Sequence, residues 1–244
     1  MKASSKYKLK PIFSGIQRFT TVDDEGFLGI TLFTGGCNFR CKYCHNREFV
    51  NVKQIKFLET EEIIDFLEKR KNIIETLIFC GGEPTLHENL IEWIKFGKKL
   101  GYRIKLDTNA TNSNMIKQLL KENLIDFFAI DYKSPKNKYQ NIIERKVDVD
   151  NILNNIKMII DSKVKYEIRT TVHTDLISKN DIKNMIDELK NIGVNSYFLQ
   201  AFKKPDKELV GNISIENDRS KDLIKNCEDL LKNNFQFWGL RNTT

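Results

Sequence analysis

Apolar runs of strand length alternate along the chain with segments whose apolar residues recur every three or four positions. The runs Gly29–Thr34, Thr76–Cys80, Arg103–Thr108, Phe127–Asp131, Tyr166–His173 and Tyr197–Phe202 read as strands. Between them, about Thr60–Asn72, His87–Leu100, Ser113–Glu122, Asp148–Asp161 and Lys179–Asn191 read as amphipathic helices, with a last one at about Ser214–Asn233. In the first of these, Ile63, Ile64, Phe66 and Leu67 gather on one side, and Thr60 and Ser113 stand where N-caps belong. Six strand–helix units in series predict an α/β fold with a parallel sheet and right-handed crossovers. The continuously apolar Phe127-Phe-Ala-Ile130 fits a sheet covered on both faces. A partial barrel and an open doubly wound sheet both satisfy this pattern, and both put the active site at the carboxyl ends of the strands. No linker, repeat or composition shift interrupts the series, so residues 1–244 read as one domain. Its core is about 27–203, preceded by an extension at 1–26 with a strand-like Pro11–Thr20. Residues 204–244 add a helix and the aromatic tail Phe235–Trp238.

Composition narrows the class. The chain has 244 residues, 40% apolar and 30% charged, with four prolines and twelve glycines, which excludes collagen-like and low-complexity classes. No run approaches the ~20 apolar residues of a spanning helix, so no membrane partner is expected. Met1–Lys10 has no apolar stretch behind its lysines and does not read as a secretory signal, which points to the cytoplasm. The net charge is +7, yet 31 of the 40 basic residues are lysines dispersed along the chain, without an aromatic-interleaved stripe. Such a distribution does not imply nucleic acid.

Cysteine carries the chemistry. Of five, Cys37, Cys41 and Cys44 fall within eight residues, while Cys80 and Cys227 stand alone. An odd count with three so close is a poor disulfide framework and a good metal cluster. The spacing Cys-x3-Cys-x2-Cys gives three soft ligands on one loop, which suits a 4Fe–4S cluster with one iron left open. Arg40 and Lys42 would offset its charge. A c-type haem site at Cys41–His45 leaves Cys37 unexplained, and a zinc site with adjacent Cys44 and His45 is awkward. A redox dithiol belongs in a shorter fold. Cys80 and Cys227 read as small buried hydrophobes, and His45, His87 and His173 receive no catalytic role.

The words Phe33-Thr-Gly-Gly-Cys-Asn-Phe-Arg-Cys-Lys-Tyr-Cys-His-Asn46, Gly81-Gly-Glu-Pro-Thr-Leu86 and Leu106-Asp-Thr-Asn109 resemble the radical S-adenosylmethionine (SAM) superfamily, over about residues 12–240. Within it they are most similar to activating proteins of anaerobic ribonucleotide reductase and related activases of glycyl radical enzymes. The resemblance implies a partial (β/α)6 barrel, one 4Fe–4S cluster on Cys37, Cys41 and Cys44, and SAM on its open iron. It makes Glu83 the holder of the methionine ammonium, Gly81 and Gly82 a close-approach element, and Tyr43 an adenine contact. It brings Asp107, Thr108, Asn109 and Asp131 to the SAM site, where the two carboxylates on neighbouring strands, ~5 Å apart, would share a monovalent cation or ligand hydroxyls. Two further readings of the pair Asp107 and Thr108 stay open, as ligands or as caps of the following helix. Arg169 and Lys133 pair with a carboxylate or a substrate peptide, and Gln200 is a further SAM or substrate contact. The implied partners are a glycyl radical enzyme and a flavodoxin- or ferredoxin-type reductant. The polar loop Pro135–Val147 is a candidate surface for an acidic partner. Alternatives are a small-molecule enzyme resembling 7-carboxy-7-deazaguanine synthase and a non-catalytic zinc or electron-transfer module.

Overall fold

The computed structural model describes residues 8–44, 46–50, 55–204, 209, 211 and 213–243, so His45 lies outside them. Eight strands follow one another in a single sheet in chain order: β1 (Phe13–Thr20), β2 (Gly29–Thr34), β3 (Thr76–Gly81), β4 (Arg103–Thr108), β5 (Phe127–Asp131), β6 (Lys165–Val172), β7 (Ser196–Ala201) and β8 (Phe237–Arg241). β1 runs antiparallel to β2, whereas β2–β3–β4 and β6–β7–β8 pair in parallel. Helical segments follow every strand from β2 to β7, so the six units expected from the periodicity are present. Among the described residues no helix is long and apolar enough to cross a membrane.

The chain divides into two compact units, one of residues 1–38 and 48–128, the other of 39–47 and 129–244. The core of the first gathers on Phe13, whose ring meets Trp93 edge-on at 4.9 Å and Phe79 at 5.9 Å. A Cβ on Gly97 would come 2.9 Å from Leu77, so its absence lets the helix Leu90–Lys99 lie close on the sheet. In the second unit a buried hydrogen-bond chain runs through the core. The Tyr197 hydroxyl donates to Thr170 Oγ1 (2.8 Å), which donates to the Tyr132 carbonyl (2.6 Å). Every link pairs a group that burial would otherwise leave unsatisfied.

Four expectations shift. The aromatic tail is not a tail: Phe237–Arg241 pairs in register with β7, Ser196 opposite Phe237 through Gln200 opposite Arg241. The last helix breaks at Cys227 into Ser220–Lys225 and Glu228–Lys232. Phe66 leaves the core and lies between the guanidinium groups of Arg18 (5.5 Å) and Arg70 (5.6 Å). The caps shift by one residue: Thr60 is already helical, and Asn112 rather than Ser113 caps its helix, accepting from Met115 N at 3.2 Å. Asn112 Nδ2 also donates to the Thr85 carbonyl at 2.6 Å, which ties the helix to the turn after β3. Asn112→Ala should therefore cost about 1–2 kcal/mol, read as a lowered urea midpoint with unchanged slope.

Candidate functional site

The cysteine loop starts on a main-chain clasp. The Thr34 carbonyl accepts from Gly82 N (2.9 Å), the Gly36 carbonyl accepts from Glu83 N (2.8 Å), and Gly36 N donates to the Phe49 carbonyl (2.6 Å). Gly81 has φ +111°, and a Cβ there would come 2.4 Å from Thr34 N; one on Gly82 would come 2.0 Å from the Gly36 oxygen. The close approach expected at these glycines is present, and the chain's own backbone makes it. They dock the end of β3 on the root of the cysteine loop.

Glu83 is 2% exposed. Its Oε1 accepts from Thr85 N (3.1 Å), Thr85 Oγ1 (2.6 Å) and Thr108 Oγ1 (2.7 Å), and its Oε2 accepts from Asn109 N (2.7 Å). Burial pushes the carboxyl up against the pull of these donors. All four partners are neutral. A carboxylate has about four lone-pair sites, two on each oxygen, so Oε2 retains accepting capacity that an ammonium can use.

Thr108 is thus a Glu83 ligand. Its hydroxyl also accepts from Ala110 N (3.1 Å), and the cap role belongs to Asn112. Asn109 reaches a residue that motif reading passed over: its Nδ2 donates to Asn38 Oδ1 (2.8 Å), and Asn38 Nδ2 donates to Thr111 Oγ1 (2.9 Å). Asn38 follows Cys37 directly, so this network ties the first cysteine's neighbour to the end of β4. Only its place beside a cysteine could have marked it. A pocket of about 430 Å³ opens here, lined by Asn38, Leu86 and residues 111–114. Asp107 stands half-buried with Lys105 Nζ 4.0 Å from its carboxylate.

The second unit holds the remaining candidates. Arg40 N and Lys42 N donate to the carbonyls of Ile143 (2.8 Å) and Ile142 (3.1 Å), so the loop around Cys41 hangs on the short helix Tyr139–Ile143. The polar loop Pro135–Val147 is accordingly structured, with a 3₁₀ turn at Lys136–Lys138 and a buried Tyr139 hydroxyl accepting from Lys133 N (3.3 Å). Gly211 N donates to the Lys42 carbonyl at 3.1 Å. Cys41 is buried, while Cys44 and, in the first unit, Cys37 are half-buried. Burial pushes the Cys41 thiol up to about 11, and Lys133 opposes it. Tyr43 is buried, its hydroxyl has no hydrogen-bond partner among the described residues, and Lys133 Nζ lies 5.9 Å from its ring centre.

Asp131 accepts from Lys133 Nζ (2.9 Å) and Arg169 Nε (3.1 Å). Burial alone would push this carboxyl up, but the two cations outweigh it and hold it below the usual range. Arg169 also lies 3.9 Å from Glu167, which Arg241 grips through two nitrogens at 3.0 and 2.8 Å. Both basic residues therefore take the carboxylate option. Gln200 stands on the same sheet face, opposite Thr171 and Arg241 in register. The shared-cation expectation loses its ground at Asp131, whose charge two protein cations already match. SAM affinity should accordingly be equal in sodium, potassium and tetramethylammonium chloride, as titration calorimetry can check.

His87 and His173 are both engaged by main-chain groups. His87 Nε2 donates to the Gly35 carbonyl (2.7 Å). His173 accepts from Asp175 N at Nδ1 (3.2 Å) and donates from Nε2 to the Ser214 carbonyl (3.1 Å). Cys227 is buried as expected, but Cys80 is half-buried.

Among the described residues no three His, Cys, Asp or Glu side chains converge on one point as a single metal ion requires. A 4Fe–4S cube instead takes each thiolate on a separate iron, so three unbridged cysteines within eight residues suit it. The donor set fits the cluster.

A parallel α/β sheet with its polar groups after successive strands, and a three-thiol loop clasped to a Gly-Gly-Glu turn, define the class: residues 31–189 match the radical SAM superfamily, and the chain belongs to it. It is a radical SAM enzyme, of a family that uses a 4Fe–4S cluster and SAM. The chain is 34% identical over 206 residues to a Methanocaldococcus jannaschii protein named as a glycyl-radical enzyme activating enzyme, covering 81% of this chain and 82% of that one. It is 29% identical over 185 residues to the pyruvate formate-lyase-activating enzyme of Clostridium pasteurianum, covering 72% and 75%. To the 7-carboxy-7-deazaguanine synthase of Clostridium acetobutylicum it is 26% identical over 141 residues, 53% and 59%. Among solved structures, Streptococcus suis SuiB bound to S-adenosylmethionine superposes with TM-score 0.65 at 13% identity, over 97% of this chain; the chain spans about half (52%) of that structure.

The clasp makes a prediction. Gly82→Ala should disrupt the root of the cysteine loop and lower both the melting temperature and the iron bound after anaerobic reconstitution, whereas Cys227→Ala should retain its iron.

Proposed function

We propose that this chain is an activase that installs a glycyl radical on a partner enzyme of the anaerobic ribonucleotide reductase kind. The observation that carries the activase reading is the 34% identity, over four fifths of both chains, to a protein named as a glycyl-radical enzyme activating enzyme; the ribonucleotide reductase kind of partner rests on the resemblance of the motif words. Cys37, Cys41 and Cys44 would hold the cluster, which when bound and reduced would supply the one electron for reductive cleavage of SAM. Glu83 receives the methionine ammonium on Oε2. Its burial among neutral donors makes a cationic partner favourable, since a charge out of water needs a counter-charge. Gly81 and Gly82 place Glu83, and Thr108 and Asn109 orient its carboxylate. Tyr43, buried within the loop, would contact the adenine. Asp107 and, in the second unit, Asp131, Arg169 and Gln200 are the remaining residues we assign to contacts with SAM or the substrate, with Asp131 held by its two cations. A glycine α-hydrogen is a suitable target because the resulting radical is delocalised over the flanking amides. Three of five cysteines packed into eight residues, a poor disulfide framework, suit a reducing cytoplasm.

Glu83→Gln keeps the shape and removes the charge. SAM affinity should fall about 10- to 150-fold, the equivalent of roughly 1.5–3 kcal/mol for a charged hydrogen bond, with iron content unchanged. The activity itself is tested by mixing reduced holoenzyme, SAM and an anaerobic ribonucleotide reductase. A glycyl EPR doublet with matching 5′-deoxyadenosine is expected. Turnover of a pterin-like small molecule, with no doublet from any glycyl radical enzyme, would overturn the activase reading.

A further inference from the structure

The turn that follows β5 is held by the helix Lys179–Asn191. Glu188, half-buried on that helix, places one carboxylate oxygen at each end of the turn. Its Oε2 accepts from the Tyr132 hydroxyl (2.7 Å) and its Oε1 from Lys136 N (3.1 Å). The buried Asp181 of the same helix accepts from Lys138 Nζ at 2.7 Å. The Lys136–Asp150 pair (2.5 Å) is exposed and adds little. Lys133, whose ammonium pairs with Asp131, lies inside the turn that Glu188 brackets. Two routes lead from this turn to the cysteine loop. The carbonyls of Ile142 and Ile143, a few residues on, hold the amides on either side of Cys41. The Tyr132 ring packs at 5.4 Å on Tyr139, which meets Phe39, just before Arg40 and Cys41, edge-on at 6.4 Å. Tyr132 and Tyr139 are fully buried and close-packed, so a shift at one passes to the next.

We infer that Glu188 is a positioning residue for the cysteine loop, acting through the Tyr132–Lys136 turn. This rests on the reading of Cys37, Cys41 and Cys44 as cluster ligands. Groups that fix metal ligands from behind change metal affinity roughly 10- to 100-fold when they are removed. A carboxylate suits the task, because it accepts at both oxygens and one side chain can then close both ends of a turn. Pro135, inside the turn, has no N–H with which to anchor itself. Truncation at Glu188 takes the acceptor from a buried hydroxyl, which is costly, so the Tyr132 ring must move to find another and its packing on Tyr139 moves with it.

The test measures how fast reconstituted holoenzyme loses its iron to a chelator under argon, followed as bleaching of the cluster absorbance. Glu188→Ala should lose iron about tenfold faster than the native protein. Glu188→Gln should restore most of the native rate, since its amide oxygen can accept from Lys136 N while its NH2 group donates to the Tyr132 hydroxyl oxygen. Ile224→Val, a small cavity on another helix of the same unit, should lower the melting temperature with little change in that rate. A native rate in Glu188→Ala, beside a Cys41→Ala protein that reconstitutes poorly, would overturn this inference alone. It would also be overturned if the Glu188→Ala increase were no larger, for its fall in melting temperature, than that of Ile224→Val. A Cys41→Ala protein that kept its iron would remove the ligand reading and this inference with it. No partner enzyme enters the measurement, so the activase reading is judged separately.

Discussion

Main-chain hydrogen bonds hold the cysteine loop, and the chemistry of the site depends on that. At its root Gly82 and Glu83 grip Thr34 and Gly36; around Cys41 the grip comes from Ile142, Ile143 and Gly211. Those bonds satisfy the amides of Gly36, Arg40 and Lys42 with main-chain carbonyls, without calling on a thiol.

Charge is distributed differently at the two carboxylates that matter most. Asp131 sits between an ammonium and a guanidinium, while Glu83, deeper in the protein, has only neutral donors. A buried acid already paired with cations gains little from another one, whereas a buried acid surrounded by neutral dipoles still has Coulomb energy to gain. The contrast separates a carboxylate that fixes its surroundings from one that can take a cationic ligand.

The strands and the cysteine triplet were legible because their signals are local: period-two and period-three-to-four patterns in one case, spacing in the other. Six of the eight strands, from Gly29–Thr34 to Ser196–Ala201, were read within a residue or two at their ends, and the Pro11–Thr20 extension proved to be β1, antiparallel to β2. Less was visible where meaning comes from distant partners. β8 has a glycine at its centre, Gly239, which reads as a break until the Phe198 ring is seen to lie where its Cβ would be. Phe66 counts as apolar in any periodic pattern, yet two arginines cover it at the surface. Asn38 acquires its role only through Asn109, 71 positions away. Arg169 was open between substrate and ion pair because nothing local distinguishes them.

The short helix Tyr139–Ile143 holds the loop through carbonyl oxygens, a feature that every residue type possesses. Inward it demands little more than apolar bulk at Ile142 and Ile143 and the Tyr139 ring. Its solvent-facing positions can thus be exchanged without altering the clamp, so the surface beside Cys41 is free to diverge among relatives while the loop geometry stays fixed. Selectivity for a protein partner and fidelity of the metal-binding loop are set by different atoms of the same few residues, and drift in one leaves the other intact.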